Sequence, residues 1–118
     1  MPRDPAEVLR EDRIRLRHML DSAHRAIRIA AGMTADALAA DEIRLLAVVK
    51  SIEIIGEAST KVSLATQSRL PAIDWAGIRQ MRNRLIHGYD SVDPARVFDA
   101  LSVDVPPLIA ALERELRV

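Results

Sequence analysis

The 118-residue sequence predicts an all-α fold, a four-to-five-helix up-and-down bundle whose last helix is kinked at Pro106-Pro107. Three observations predict it. Apolar residues recur at steps of three and four through most of the chain, the period of a helix with one buried face. The apolar runs start at Asp or Thr residues placed to cap a helix, twice with Pro next in line. Aromatic content is only 3%, with one Trp, one Tyr and one Phe (Trp75, Tyr89 and Phe98), so the core must be aliphatic. Strand-rich domains draw on more aromatic and β-branched side chains.

Asp4-Pro5-Ala6-Glu7 opens the first helix, with Asp4 as N-cap, Pro5 in the first helical position and Glu7 completing a capping box. Leu9, Leu16, Leu20, Ala23, Ile27 and Ala30 form its seam, and Gly32 stops it. At 1.5 Å per residue this helix is roughly 40 Å long. Thr34-Ala35-Asp36 starts a short helical turn that ends near Ala40. Asp41 caps a second long helix, residues 42 to 62, with Leu45, Val48, Val49, Ile52, Ile55, Ala58 and Val62 as its buried stripe. Gly56 in its middle costs about 1 kcal/mol of helix propensity against Ala. Either it admits a close neighbour, a second subunit included, or it is merely tolerated.

Residues 63 to 73 lack periodicity and contain Pro71, which predicts a connecting loop. Asp74 caps a third helix running from Trp75 to Ile86 or His87, apolar at Trp75, Ile78, Met81, Leu85 and Ile86, and Gly88 ends it. Asp93 caps a fourth, with Pro94 in first position and Val92 and Val97 spaced as a hydrophobic staple. Pro106-Pro107 must break or kink that helix, and Asp104 can recap it. The remainder is amphipathic through Leu108, Ile109, Leu112 and Leu116.

Length fits one domain spanning residues 1–118. The absence of cysteine excludes disulfides, thiolate metal sites and a cysteine nucleophile. No apolar stretch is long enough to span a bilayer and the charged N-terminus carries no signal peptide, so the expectation is a cytoplasmic protein without a membrane partner. Seventeen basic residues against seventeen acidic ones argue against a general nucleic-acid binder. Such an activity must come from a local patch.

The charge is not evenly spread. Between Trp75 and Tyr89 stand Arg79, Arg82, Arg84 and His87 with no acid, whereas the chain from Asp90 onward has six acids against three arginines. A solvated helix face accounts for such a run on charge alone. The segment from Arg82 to Tyr89 is richer: two guanidiniums, the Asn83 amide, an imidazole and a phenol at a helix end. Arg forks hydrogen bonds onto phosphate oxygens, and His moves protons near neutrality. Cleaving RNA without a metal needs a base for the 2′-OH, an acid for the leaving 5′-oxygen and positive charge on the phosphorane. One Arg and one His are a thin set for that, and a symmetric dimer would double it. His18 and His24, six apart on the first helix, read as surface or packing residues, and no metal-ligand spacing is present.

Met81-Arg82-Asn83-Arg84-Leu85-Ile86-His87-Gly88-Tyr89 resembles the R-x4-H-x-Y signature of HepT-like toxins, a branch of the HEPN domain superfamily associated with type VII-like toxin–antitoxin pairs. Ser51-Ile52-Glu53-Ile54-Ile55-Gly56-Glu57-Ala58 is similar to that family's E-I-I-G-E-A run, and the likeness extends to the approach from Pro71 to Trp75, to Val92-Asp93 and to Asp104-Val105-Pro106-Pro107-Leu108. The resemblance implies a HEPN-like bundle acting as a metal-independent endoribonuclease, without cofactor, with its site at a homodimer interface. It makes Arg82 and His87 the catalytic pair and Asn83 the polar residue that follows the Arg. Tyr89 takes the position at which a cognate minimal nucleotidyltransferase antitoxin adds AMP, placing bulk and negative charge beside the pair.

Plainer roles stand beside these. His87 suits a helix C-terminus, and Tyr89 suits interface packing. Glu53 and Glu57 fit ion pairs with Lys50 or Lys61. Arg79 and Arg84 either contact phosphate or face solvent. The alternative function is a non-catalytic helical module that binds a nucleotide or a partner through the same basic pocket.

Overall fold

Capping side chains decide where the helices begin. A computed structural model of the chain describes residues 3–85 and 91–117. Helix α1 (Pro5–Ile29) starts at Asp4, whose carboxylate accepts from the Ala6 N–H at 2.9 Å. Thr34 opens α2 (Ala35–Ala40) by accepting from the Ala37 N–H, and Asp41 opens α3 (Glu42–Thr60) by accepting from that of Arg44. Asp74 does the same for α5 (Trp75–Arg84) and Asp93 for α6 (Pro94–Asp99). Each cap satisfies an amide that the first turn leaves without a partner. Gly32, at φ +76, turns the chain between α1 and α2 in a conformation that L side chains rarely adopt.

The expected loop between residues 63 and 73 is partly helical. Ser63 accepts from the Thr66 N–H and starts α4 (Leu64–Arg69). Six residues are too few for an apolar period to show. What fixes this turn lies across the bundle. Asp12 of α1, only 3% exposed, accepts from the Ser63 N–H at 2.9 Å and from the Ser63 and Thr66 hydroxyls at 2.6 Å each. Burial pushes the Asp12 carboxyl up, but these three donors together hold it below the ordinary carboxylate range.

The last helix corrects a second expectation. After α6 comes a π-helical turn, Ala100–Asp104, in which the Val105 N–H reaches back to the Ala100 carbonyl, and α7 (Val105–Leu116) follows directly. The irregularity sits just before Pro106 and Pro107, which have no N–H to continue an α-helical ladder. Asp104 makes no capping hydrogen bond. The amides a cap would serve, two and three positions on, belong to those prolines.

Helices α1 and α3 run antiparallel: Ser63 meets Asp12 at one end, and Arg44 donates to the Ile29 carbonyl at 2.8 Å at the other. α7 packs along α1, and α5 crosses α3. One apolar cluster joins Leu16, Met19, Leu20, Ile55, Trp75, Val105 and Leu112; a second joins Ala26, Leu38, Val48, Ile52, Met81, Leu85 and Val97. Every residue assigned to the α3 stripe is buried. The α1 seam is partly different. Leu9 and Ile27 are exposed, and Asp12, Met19 and Ala26 take the inward positions. No helix among the described residues is long and apolar enough to cross a membrane, and none of them forms a strand. The all-α bundle stands.

Candidate active site

The C-terminal turn of α5 carries Arg82, Asn83 and Arg84. Trp75 and Ile78 bury the inner face of this helix in the first apolar cluster, and Met81 with Leu85 at its end in the second. That packing sets the rotation of the helix and hence where each arginine points.

Arg82 lies on α3. A Cβ placed on Gly56 would come within 3.3 Å of the Arg82 Cδ and 3.6 Å of its Cβ, so the side chain runs over the glycine in direct contact. Of the two readings of Gly56, close approach is the one the packing supports, and the neighbour is α5 of the same chain. Ser59 caps the arrangement from below, donating its hydroxyl to the Gly56 carbonyl at 2.7 Å. The guanidinium then extends toward solvent, 44% exposed, with Nη1 3.8 Å from Oε2 of Glu57. That separation is an ion pair without a hydrogen bond.

Glu57 also lies 3.9 Å from Lys61, as i,i+4 spacing anticipates. Its link to Arg82 is the part that sequence spacing missed. The available signal was the Gly56-Glu57 dipeptide: a glycine that admits a neighbour places the next carboxylate beside it. Glu53 is half-buried one turn earlier.

Arg84 leaves the helix on the other side. Its guanidinium faces Asp104 of the π turn at 3.7 Å. Arg79 and Asn83 are exposed, without an ion pair or side-chain hydrogen bond among the described residues. Arg82 and Arg84 therefore do not converge. Two residues along a helix is more than half a turn, so Arg82 and Arg84 face opposite flanks.

His87 and Tyr89 lie outside the described residues. On either side of them the chain is held together, the Asp93 N–H donating to the Leu85 carbonyl at 2.8 Å. His18 is exposed, and His24 bridges α1 to α7 through Glu113 at 3.0 Å, both surface roles as expected. Among the described residues no group of three or more His, Asp or Glu side chains is arranged to hold a metal ion.

Residues 19–115 match the family described as ribonuclease HepT-like. A protein of Thermococcus cleftensis named "Probable ribonuclease HepT" is 34% identical over 74 residues, 63% of this chain and 67% of that protein. Two proteins of Methanocaldococcus jannaschii, named "Putative RNase MJ0127" and "Putative RNase MJ1380", are 29% and 27% identical over 72% and 80% of this chain, and over 70% and 87% of their own lengths. No solved structure gives a significant match.

Proposed function

Because the chain belongs to the HepT-like ribonuclease family, we propose that it is an endoribonuclease toxin that cuts RNA through Arg82 and His87 without a metal. It acts as a single HEPN-like domain, residues 1–118, in the cytoplasm, and as a homodimer that brings two copies of the pair together. The observation that carries this reading is the setting of Arg82. Its stem is braced on Gly56, while its guanidinium is open to solvent and, among the described residues, held by nothing closer than a 3.8 Å ion pair. A structural arginine would be spent on hydrogen bonds. This one is positioned yet available.

In the reaction, His87 of one subunit takes the 2′-OH proton. The 2′-oxygen attacks phosphorus, the bond from phosphorus to the 5′-oxygen breaks, and His87 of the other subunit protonates the departing oxygen. The products are a 2′,3′-cyclic phosphate and a 5′-hydroxyl. Arg82 donates to the phosphorane oxygens as their charge develops, where a fixed cation gains most. Asn83, next along and exposed, is a further donor at the same phosphate.

Regulation follows at Tyr89, the one phenol in the chain. A cognate minimal nucleotidyltransferase antitoxin adds AMP there, and the added phosphate repels the RNA backbone. The test is cleavage by the purified protein in EDTA, with end-group analysis. Cyclic phosphate ends, lost in Arg82→Ala and His87→Ala, bear the reading out. Saturable RNA binding without turnover would replace it with a binding module. Incubation with the antitoxin and ATP should add AMP mass units to the protein but none to Tyr89→Phe.

A further inference from the structure

Arg84, the arginine that turns away from the catalytic side, borders a cavity of about 310 Å³ between α5 and α7. Its lining is mixed: Ile78 and Met81 on α5 and Pro107 and Leu108 on α7 are apolar, while Asp74, Gln80, Arg84 and Asp104 contribute polar side chains. The volume is at the lower bound for small-ligand sites, suited to one heterocycle and part of a sugar.

The pair of Arg84 and Asp104 is not a closed salt bridge. Arg84 Nη2 and Asp104 Oδ2 are 3.7 Å apart, beyond hydrogen-bond distance, and the side chains are 52% and 44% exposed. Among the described residues neither side chain makes a hydrogen bond. For Asp104 the reason is built into the sequence. It stands at the N-cap of α7, where a carboxylate would accept from the second and third amides of the helix, and both are prolines. An acceptor that cannot cap is left beside a cation that it does not fully engage, at the edge of the cavity.

We propose that this cavity holds a guanine base of the RNA, flanking the phosphate that is cut. Guanine alone among the four bases presents two adjacent N–H donors, N1 and N2, for a carboxylate. Beside them lie two acceptors, O6 and N7, for a guanidinium. Arg84 and Asp104 side by side match that edge, and the flat ring lies against Ile78, Met81, Pro107 and Leu108. Arg82 and Arg84 sit two residues apart on opposite flanks of a helix about 10–12 Å across. A strand passing over the end of α5 thus reaches both, a base in the cavity and a neighbouring phosphate at Arg82.

The proposal rests on the reading that the chain acts on RNA, and binding separates the two. Titrating the intact protein with guanosine, adenosine, cytidine and uridine 5′-monophosphates by calorimetry should give saturable binding of the first, at least tenfold tighter than the others. Asp104→Asn, which exchanges one acceptor for a donor, should erase most of that preference, and Arg84→Lys should weaken it, with the melting temperature kept in both. On an RNA containing every dinucleotide, Asp104→Asn should also redistribute the cleavage positions away from guanosine neighbours. Equal affinity for all four mononucleotides, or none, would overturn the pocket even if RNA is cut. Guanosine-selective binding with no cleavage would sustain the pocket and sink the nuclease reading.

Discussion

The Arg82 side chain packs directly over Gly56 where α5 meets α3. The arginine stem lies so close that a Cβ on the glycine would stand 3.3 Å from Cδ. The arginine is thereby held along its aliphatic part, while its charged end stays exposed, in an ion pair with Glu57 at 3.8 Å and without a hydrogen bond among the described residues. Long cationic side chains commonly bury their stems and leave their heads in water. Here that habit fixes the direction in which a guanidinium points without spending any of its donors.

Gly56→Ala should therefore separate activity from stability. The added methyl forces the Arg82 stem to shift by a few tenths of an ångström, which in the proposed reaction misplaces the guanidinium relative to the phosphorane. We expect RNA cleavage to fall about tenfold. Stability should change by less than about 1 kcal/mol, because the helix-propensity gain of Ala over Gly offsets the crowding. Single-turnover cleavage beside thermal melting checks this, and an unchanged rate would remove Gly56 from the site.

On the proposed function, Glu57 competes with the substrate for Arg82. Any phosphate arriving at the guanidinium must displace or share an exposed carboxylate. Glu57→Gln should lower KM for RNA severalfold in low salt, with kcat altered less. The advantage should fade above about 0.15 M salt, where surface charges are screened within roughly 8 Å. Melting should barely change, since exposed ion pairs contribute about 0–1 kcal/mol.

How far the sequence could be read depended on the range of each interaction. Asp4, Thr34, Asp41, Asp74 and Asp93 announced their helices because a cap and its amide lie two or three residues apart. The α3 stripe was legible because one face of one helix is buried along its length. α4 was not, because its support is a carboxylate on α1, 51 residues away from Ser63. An Asp inside an apolar seam reads as a break in the pattern until its partners are known. At the candidate site the local motif named Arg82, His87 and Tyr89, but the division of Arg82 from Arg84, toward Glu57 and Asp104 respectively, is tertiary. Asp104 shows the reverse case. Its two following prolines were visible and already ruled out the capping role expected of it.

Burial sorts two isoleucines on α3 sharply. Ile52 has no exposure, while Ile43 is 83% exposed. Ile52→Ala should cost about 2–5 kcal/mol, as methylene loss and a cavity combine at a site between helices. Ile43→Ala should stay within about 0.5 kcal/mol in chemical denaturation of the isolated protein. Comparable losses for both would show that the outer face of α3 is covered in solution.

Asp12 gives the bundle an acid limit. Burial alone would raise its pKa, but the Ser63 and Thr66 hydroxyls and the Ser63 N–H outweigh it and depress the folded-state value. A group whose folded pKa is depressed contributes its stability above its unfolded value, near 3.9, and loses it as pH falls through the folded one. Denaturation midpoints should hold steady near neutrality and drop below about pH 4. Asp12→Asn keeps the size of the side chain but offers one acceptor oxygen where three donors converge. We expect it to cost about 1–3 kcal/mol at neutral pH. It should also flatten the acid limb, because the group that titrates there is gone. An acid limb as steep in Asp12→Asn as in the parent would assign it to carboxylates elsewhere, and the tie between α1 and α4 would then be independent of charge.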